Sequence, residues 1–153
     1  MPGPGEYLPD PTEKLSRPED LPKPKVKHRS RIRKKSPCPL CKRPARQHVI
    51  AQRKLRHLGD LDSGRPVEFL LRYSTHYCCK CKKYFNIDMS SLAPPKSDYT
   101  NVVIELAIRL VVDDGLPYRS ASWHLWRDHR VFVPFATIQN WVEAAGKKNL
   151  HES

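Results

Sequence analysis

Glycine is scarce, with six among 153 residues, and no apolar run approaches the roughly 20 residues that a membrane-spanning helix requires. The amino terminus, MPGPGEYLPDPTEK, has neither a basic n-region nor an apolar h-region. A secretory leader is therefore not expected, and the five cysteines are read in a reducing compartment, where disulfides are rare. Acidic residues are few as well: 16 Asp/Glu face 28 Lys/Arg, for a formal net charge of +12 and a pI near 9.7. That imbalance favours a polyanionic partner, nucleic acid ahead of a membrane surface. Proline is abundant instead, at fifteen, about twice the usual share. The chain is expected to be a Pro-rich segment joined to something folded.

The excess charge is local. Residues 1–37 hold 10 Lys/Arg and 5 Asp/Glu, residues 38–93 hold 11 and 4, and residues 94–153 hold 7 of each. The first segment contains eight prolines and almost no apolar periodicity, so residues 1–36 are expected to be a disordered tail. Its stretch from Lys23 to Lys35 packs eight Lys/Arg into thirteen residues. Arg29, Arg31, Arg33, Lys34 and Lys35 there suit a phosphate-tracking arm; the alternative is a solvated linker.

Cys38-Pro-Leu-Cys41 and Cys78-Cys-Lys-Cys81 are two C-x2-C pairs separated by 36 residues. Two such knuckles complete a tetrahedral sulfur site, for which Zn(II) is the natural occupant, and four sulfurs leave no open position for water. One structural Zn(II) on Cys38, Cys41, Cys78 and Cys81 is expected, leaving the loaded chain still basic at about +10. A redox reading would place C-x-x-C beside a βαβ unit, and the sequence shows none. Cys79 points away on a strand and is not counted as a ligand; His48, His57 and His76 are read as surface residues.

Between the knuckles, Val67–Tyr77 alternates with period 2, placing Val67, Phe69, Leu71, Tyr73, Thr75 and Tyr77 on one buried face. His48–Leu58 is a poorer, basic strand whose Arg53, Lys54 and Arg56 are further candidate phosphate contacts. Asp62–Arg65 is the turn, and Tyr84–Ile87 a short third strand. Residues 37–93 thus read as a zinc ribbon that depends on metal for much of its folding energy.

From residue 97 the period becomes helical. One helix starts at a Ser97 or Asp98 cap and stops at Gly115 and Pro117, with Val102, Val103, Leu106, Ala107, Leu110 and Val111 apolar. A second spans about 118–128 with Ala121, Ser122 and Leu125 inward. A third spans about 135–145, with Ile138, Trp141, Val142 and Ala145 inward and Gly146 as its stop. Residues 94–148 read as a three-helix helix-turn-helix bundle, followed by a short tail at 149–153, so the fold class is small α+β. The outer face of the third helix offers Ala136, Thr137, Asn140 and Ala144, with Gln139 at its flank and Lys147 and Lys148 beyond, and Asn or Gln can pair with adenine in a duplex groove. A neutral bundle also suits protein docking.

Cys38–Cys41, the hairpin with Ser63-Gly-Arg-Pro66, the stretch Tyr77–Phe85, Gly115-Leu-Pro-Tyr-Arg-Ser-Ala-Ser122 and Val133–Val142 resemble the N-terminal region of bacterial and archaeal insertion-sequence transposases of the DDE type. The resemblance covers about residues 36–148. It implies binding of an element's terminal repeats in double-stranded DNA, in a prokaryotic cytoplasm and at the nucleoid. The partners it implies are a second copy or a separate catalytic subunit. The family's RNase H-like domain, with an acidic triad and Mg(II), would begin about where this sequence ends, at Ser153. Asp113 and Asp114 sit at a helix end rather than in such a triad, and Pro134 stands where the family often has a Ser or Thr cap. The expectation is a truncated or domesticated DNA-binding protein without catalysis of its own. The alternative is a zinc-ribbon adaptor for protein or RNA.

Overall fold

The computed structural model describes residues 22–152, with side chains as far as Lys147. It is a small α+β chain: a five-stranded sheet followed by three helices. The strands are β1 (Lys25–Arg31), β2 (Lys35–Pro37), β3 (Pro44–Asp60), β4 (Arg65–Cys78) and β5 (Lys83–Asn86). The helices are α1 (Asn101–Val112), α2 (Tyr118–His129) and α3 (Phe135–Glu152). No helix among the described residues is long and apolar enough to cross a membrane.

Much of the expected basic tail is sheet. The strand order is β1-β4-β3-β2, with β5 also on β4. β1 runs beside β4 in the same direction: the Arg29 guanidinium lies 4.7 Å from the Phe69 ring centre, and further along the Arg33 N–H donates to Ser74 Oγ at 3.2 Å. The tail expectation is therefore corrected for residues 25–31 and 35–36; residues 1–21 lie outside the described part. Apolar periodicity missed β1 because β1 is an edge strand. It needs backbone pairing on one side only, and its charged side chains block further pairing on the other.

The chain divides into two compact units, and the division is not the one drawn at residues 93 and 94. Lys25–Arg56 and Glu68–Asn101 form a sheet unit. His57–Val67, the tip of the β3–β4 hairpin, groups with Val102–Ser153 and with residues 22–24 in a helical unit.

In the sheet unit, buried positions along β4 change face. Phe69 and Leu71 are buried on one side, then Ser74, His76 and Cys78 on the other. The uniform alternation expected through Tyr77 thus holds only for the first half. Tyr73, Thr75 and Tyr77 are half-buried, and His76, expected at the surface, is fully buried. The segment after β5 is tied down by β3 and β4. Ile87 N–H donates to the Ser74 carbonyl at 3.0 Å, and Thr100 N–H to the Arg56 carbonyl at 3.0 Å. Ser97 and Asp98 belong to this segment and not to a helix: Ser97 Oγ accepts the Tyr99 N–H at 3.1 Å, a local turn that keeps the backbone extended. The first helix accordingly starts two or three residues later than a Ser97 or Asp98 cap implies, at Asn101.

In the helical unit, Asp60 organises the hairpin tip, its carboxylate accepting from Asp62 N–H and Ser63 Oγ, both at 3.0 Å. Gly64 takes a left-handed φ of 71° in that turn. Gly59 is needed for contact: a side chain there would overlap Arg130. Along α1, Val103, Ala107 and Leu110 are buried, while Val102 is exposed. Gly115, at φ 71°, closes α1 as Leu116 N–H reaches the Leu110 carbonyl at 3.0 Å. Ala121, Ser122 and Leu125 of α2 are buried, as expected. The connection to α3 buries Val131 and Val133, and Ser122 Oγ donates to the Val133 carbonyl. Pro134 does not disturb the start of α3. Its carbonyl accepts from Thr137 and Ile138 N–H at 3.0 and 3.2 Å, which needs no donor from proline itself. Gly146 does not end α3, which continues to Glu152, so the expected tail at 149–153 is largely helix.

Candidate metal centre and basic sheet surface

Two short turns deliver the four sulfurs. In the first, Cys38 N–H donates to the Arg43 carbonyl at 2.9 Å and Lys42 N–H to the Cys38 carbonyl at 2.9 Å. In the second, Lys82 N–H donates to the Cys78 carbonyl at 2.7 Å, and Cys81 N–H points at Cys78 Sγ at 3.5 Å. The two knuckles share a feature that C-x2-C spacing does not reveal. The lysine after each second cysteine is left-handed, Lys42 at φ 64° and Lys82 at φ 54°. That bend turns the backbone as it leaves each knuckle, where the lysine N–H reaches the carbonyl of the first cysteine.

β4 carries Cys78 directly into β5, and β2 carries the chain to Cys38, so the sheet brings both knuckles to one end. The ligand atoms of Cys38, Cys41, Cys78 and Cys81 all lie within 4.8 Å of one another. Cys38 and Cys81 Sγ are 3.9 Å apart, and Cys41 and Cys78 Sγ 3.5 Å. A tetrahedral thiolate site with metal–sulfur bonds of about 2.3 Å needs sulfur separations of about 3.8 Å. The four cysteines are positioned to hold one metal ion. Cys38 and Cys78 are buried with Ala45, and Phe85 packs against them. Cys79 is exposed and outside the cluster.

The thiols are electrostatically unequal. The Cys41 N–H directed at Cys38 lowers its pKa from the ordinary 9.0 to about 6. Cys78 is likewise lowered, chiefly by the Cys81 N–H. Cys81, facing Cys41 and the other sulfurs, is pushed up to about 12. Four sulfurs this close resist carrying four negative charges unaided, and a divalent cation at their centre removes the conflict.

A buried polar chain backs the site. His76 is stacked on Phe85 at 5.5 Å. Its Nδ1 lies 3.1 Å from the Ala45 carbonyl and its Nε2 2.8 Å from Ser74 Oγ. A carbonyl can only accept, so Nδ1 carries the proton and Nε2 accepts from the Ser74 hydroxyl, which in turn accepts the Arg33 N–H. His76 thus joins β3 and β4 beneath the knuckles and is no ligand. His57 is half-buried and His48 exposed.

The expected nucleic-acid contacts fare differently. Arg29, Arg31, Arg33, Lys34, Lys35 and Lys54 are exposed. Arg53 and Arg56 are half-buried and engaged within the fold. Arg53 Nη2 donates to the Pro94 and Ser97 carbonyls, and Arg56 Nη1 to Tyr99 Oη at 3.2 Å. These two hold the 94–99 segment and are withdrawn as phosphate contacts. On α3, Ala136 and Asn140 are exposed and Thr137 half-buried. Half-buried Gln139 donates to Glu143 Oε1 at 3.0 Å, which places a carboxylate beside the expected reading face. Lys147 is exposed; the side chain of Lys148 lies outside the described residues.

By sequence, the sheet unit holds 18 Lys/Arg and only three carboxylates, Glu68, Asp88 and Asp98, a formal +15. The described residues of the helical unit hold 8 Lys/Arg and 8 Asp/Glu, a formal zero. Folding therefore sharpens the charge asymmetry of the sequence. Comparison with protein-family models, with curated proteins and with solved structures gives no match to this chain.

Proposed function

We propose that this chain is a zinc-stabilised nucleic-acid-binding protein whose sheet unit supplies phosphate affinity and whose third helix reads duplex DNA. The observation that carries the proposal is the formal +15 of the sheet unit, with three carboxylates among its 66 residues. A surface of that sign binds polyphosphate by releasing its counterions. Zinc is the natural ion for four clustered thiolates in a site that leaves no coordination position open. The site is structural, and no step of chemistry is assigned to it.

Sequence reading is assigned to α3. Ala136, Asn140, Ala144 and Lys147 are exposed at spacings of four, four and three residues, so they line one stripe of the helix. Small residues at 136 and 144 let the helix approach a groove, and Asn140 can pair with an adenine edge. The resemblance of residues 36–148 to insertion-sequence transposases points the same way, toward recognition of an element's ends without catalysis. A second reading has one specific observation in its favour. Glu143 beside Gln139, on a helical unit whose described residues carry no net charge, suits protein docking by α3, with the sheet unit alone on nucleic acid.

Selection from a random duplex pool separates the two. Recovery of a shared motif, lost with Asn140→Ala, supports reading by α3. A salt-sensitive pool without a motif supports docking, and no retention of any nucleic acid at low salt rejects both.

A further inference from the structure

One face of the sheet unit carries aromatic rings that neither the metal centre nor the duplex reading uses. Tyr77 and Tyr84 are register partners on β4 and β5, with ring centres 4.8 Å apart. The Tyr84 ring also lies 4.9 Å from His48 of β3. Tyr84 is 65% exposed, which is unusual for a ring that could have been turned into the core. Its neighbours on the strands, Cys78 and Phe85, pack into the metal cluster, so period 2 sends Tyr77 and Tyr84 to the opposite side. A cavity of about 450 Å³ adjoins the rings. It is lined by Arg43, Arg46, Gln47, His48, Tyr77 and Lys80 among others, with no carboxylate. Among the described residues, the charged ends of Arg43, Arg46 and Lys80 have no hydrogen-bond or ion-pair partner.

We propose that this face binds single-stranded nucleic acid, with unpaired bases stacking on Tyr84, Tyr77 and His48 and the phosphates held by Arg43, Arg46 and Lys80. Charge complementarity selects this occupant. A protein segment seeking aromatic rings would not need three free cations beside them, whereas a strand of nucleic acid brings one phosphate for each base that stacks. A duplex keeps its bases in its own stack and cannot use the rings. The cavity and the tilted rings allow a base to lie against Tyr84 while Gln47 offers a donor and an acceptor to its edge. The site deepens the nucleic-acid reading by naming a second, unpaired form of ligand and a separate surface for it.

The test uses the full metal-loaded chain and a single-stranded 15-mer containing 2-aminopurine, whose fluorescence is quenched by stacking. Quenching on binding is expected, with Tyr84→Ala weakening binding at least roughly fivefold and abolishing the quench. Tyr84→Phe should keep both, and duplex affinity should be unchanged in either variant. Because Tyr84 is exposed, the alanine variant should retain its metal, which is measured alongside. If the single strand fails to bind while a duplex binds, the inference is overturned and the duplex proposal stands. Single-strand binding that Tyr84→Ala leaves intact also overturns it. Failure of both ligands overturns the inference and the parent proposal together.

Discussion

Two lysines carry backbone geometry usually given to glycine. Lys42 and Lys82 sit at the same place in their knuckles, both at positive φ. The left-handed region costs an L-residue with a β-carbon about 1 kcal/mol, partly offset because glycine loses more freedom on folding. Lys42→Gly and Lys82→Gly should therefore each stabilise the metal-loaded protein, by up to about 1 kcal/mol, seen as a raised thermal midpoint. A lowered midpoint in both would show that the lysine side chains matter more than the turn. Ser74 makes the opposite case. Its hydroxyl is the only link between the Arg33 N–H and His76 Nε2 among the described hydrogen bonds. Ser74→Ala leaves a buried acceptor and a part-buried donor without their partner and should cost about 1–3 kcal/mol in denaturant melts. Neither residue was legible in the sequence. Spacing identifies the cysteines because metal geometry is local, but a lysine at positive φ and a buried histidine are set by what the fold later packs around them.

At the level of elements, helices were easier to find than to bound. Val103, Ala107, Leu110, Ala121, Leu125 and Ile138 follow the helical period and are all buried. The ends depended on single residues whose effect is conditional. Gly115 closes α1 because the chain turns left-handed there, whereas Gly146 remains inside α3. A β-carbon at Gly146 would meet nothing within 4 Å. Gly146→Ala should then stabilise α3 by about 0.5–1 kcal/mol and raise the far-ultraviolet helical signal. No gain would mean that the last turns of α3 are not helical in solution. The strands show the converse failure. β4 is visible as an alternating apolar run and β3 only as a poorer, basic strand, but β1 has no apolar face of its own. Its place in the sheet comes from pairing with β4, and pairing partners distant in sequence leave no local pattern. The change of buried face between Leu71 and Ser74 escaped for the same reason: it follows from the knuckles drawing Cys78 inward.

For the molecule as a whole, the candidate metal centre and the excess positive charge fall in one unit. Cys38 and Cys78 contribute directly to the buried cluster with Ala45 and Phe85, so removing the ion leaves four crowded thiols where a core should be. Chelation, or Ser at any of the four cysteines, should lose the metal and the protected amides of β2, β5 and the knuckles. The amides of α1–α3 should stay protected, and Cys79→Ser should keep both metal and protection. Stoichiometric metal loss on Cys79→Ser, or folded protein without bound metal, would remove the centre from the account. The proposed division of labour between the charged sheet unit and α3 can be tested independently. Counterion release depends on how many phosphates are neutralised, and the cations are concentrated in the sheet unit. Neutralising Arg29, Arg31, Arg33, Lys34 and Lys35 should weaken binding to all duplexes alike and flatten the dependence of affinity on salt. Asn140→Ala removes no charge, so the salt slope should stay as it is. Its cost, about 1–3 kcal/mol, should fall on the preferred site and spare random DNA. An Asn140 variant that binds both duplexes like the parent, beside an arginine variant with the flattened slope, would leave phosphate binding in the sheet unit and assign α3 to a protein partner.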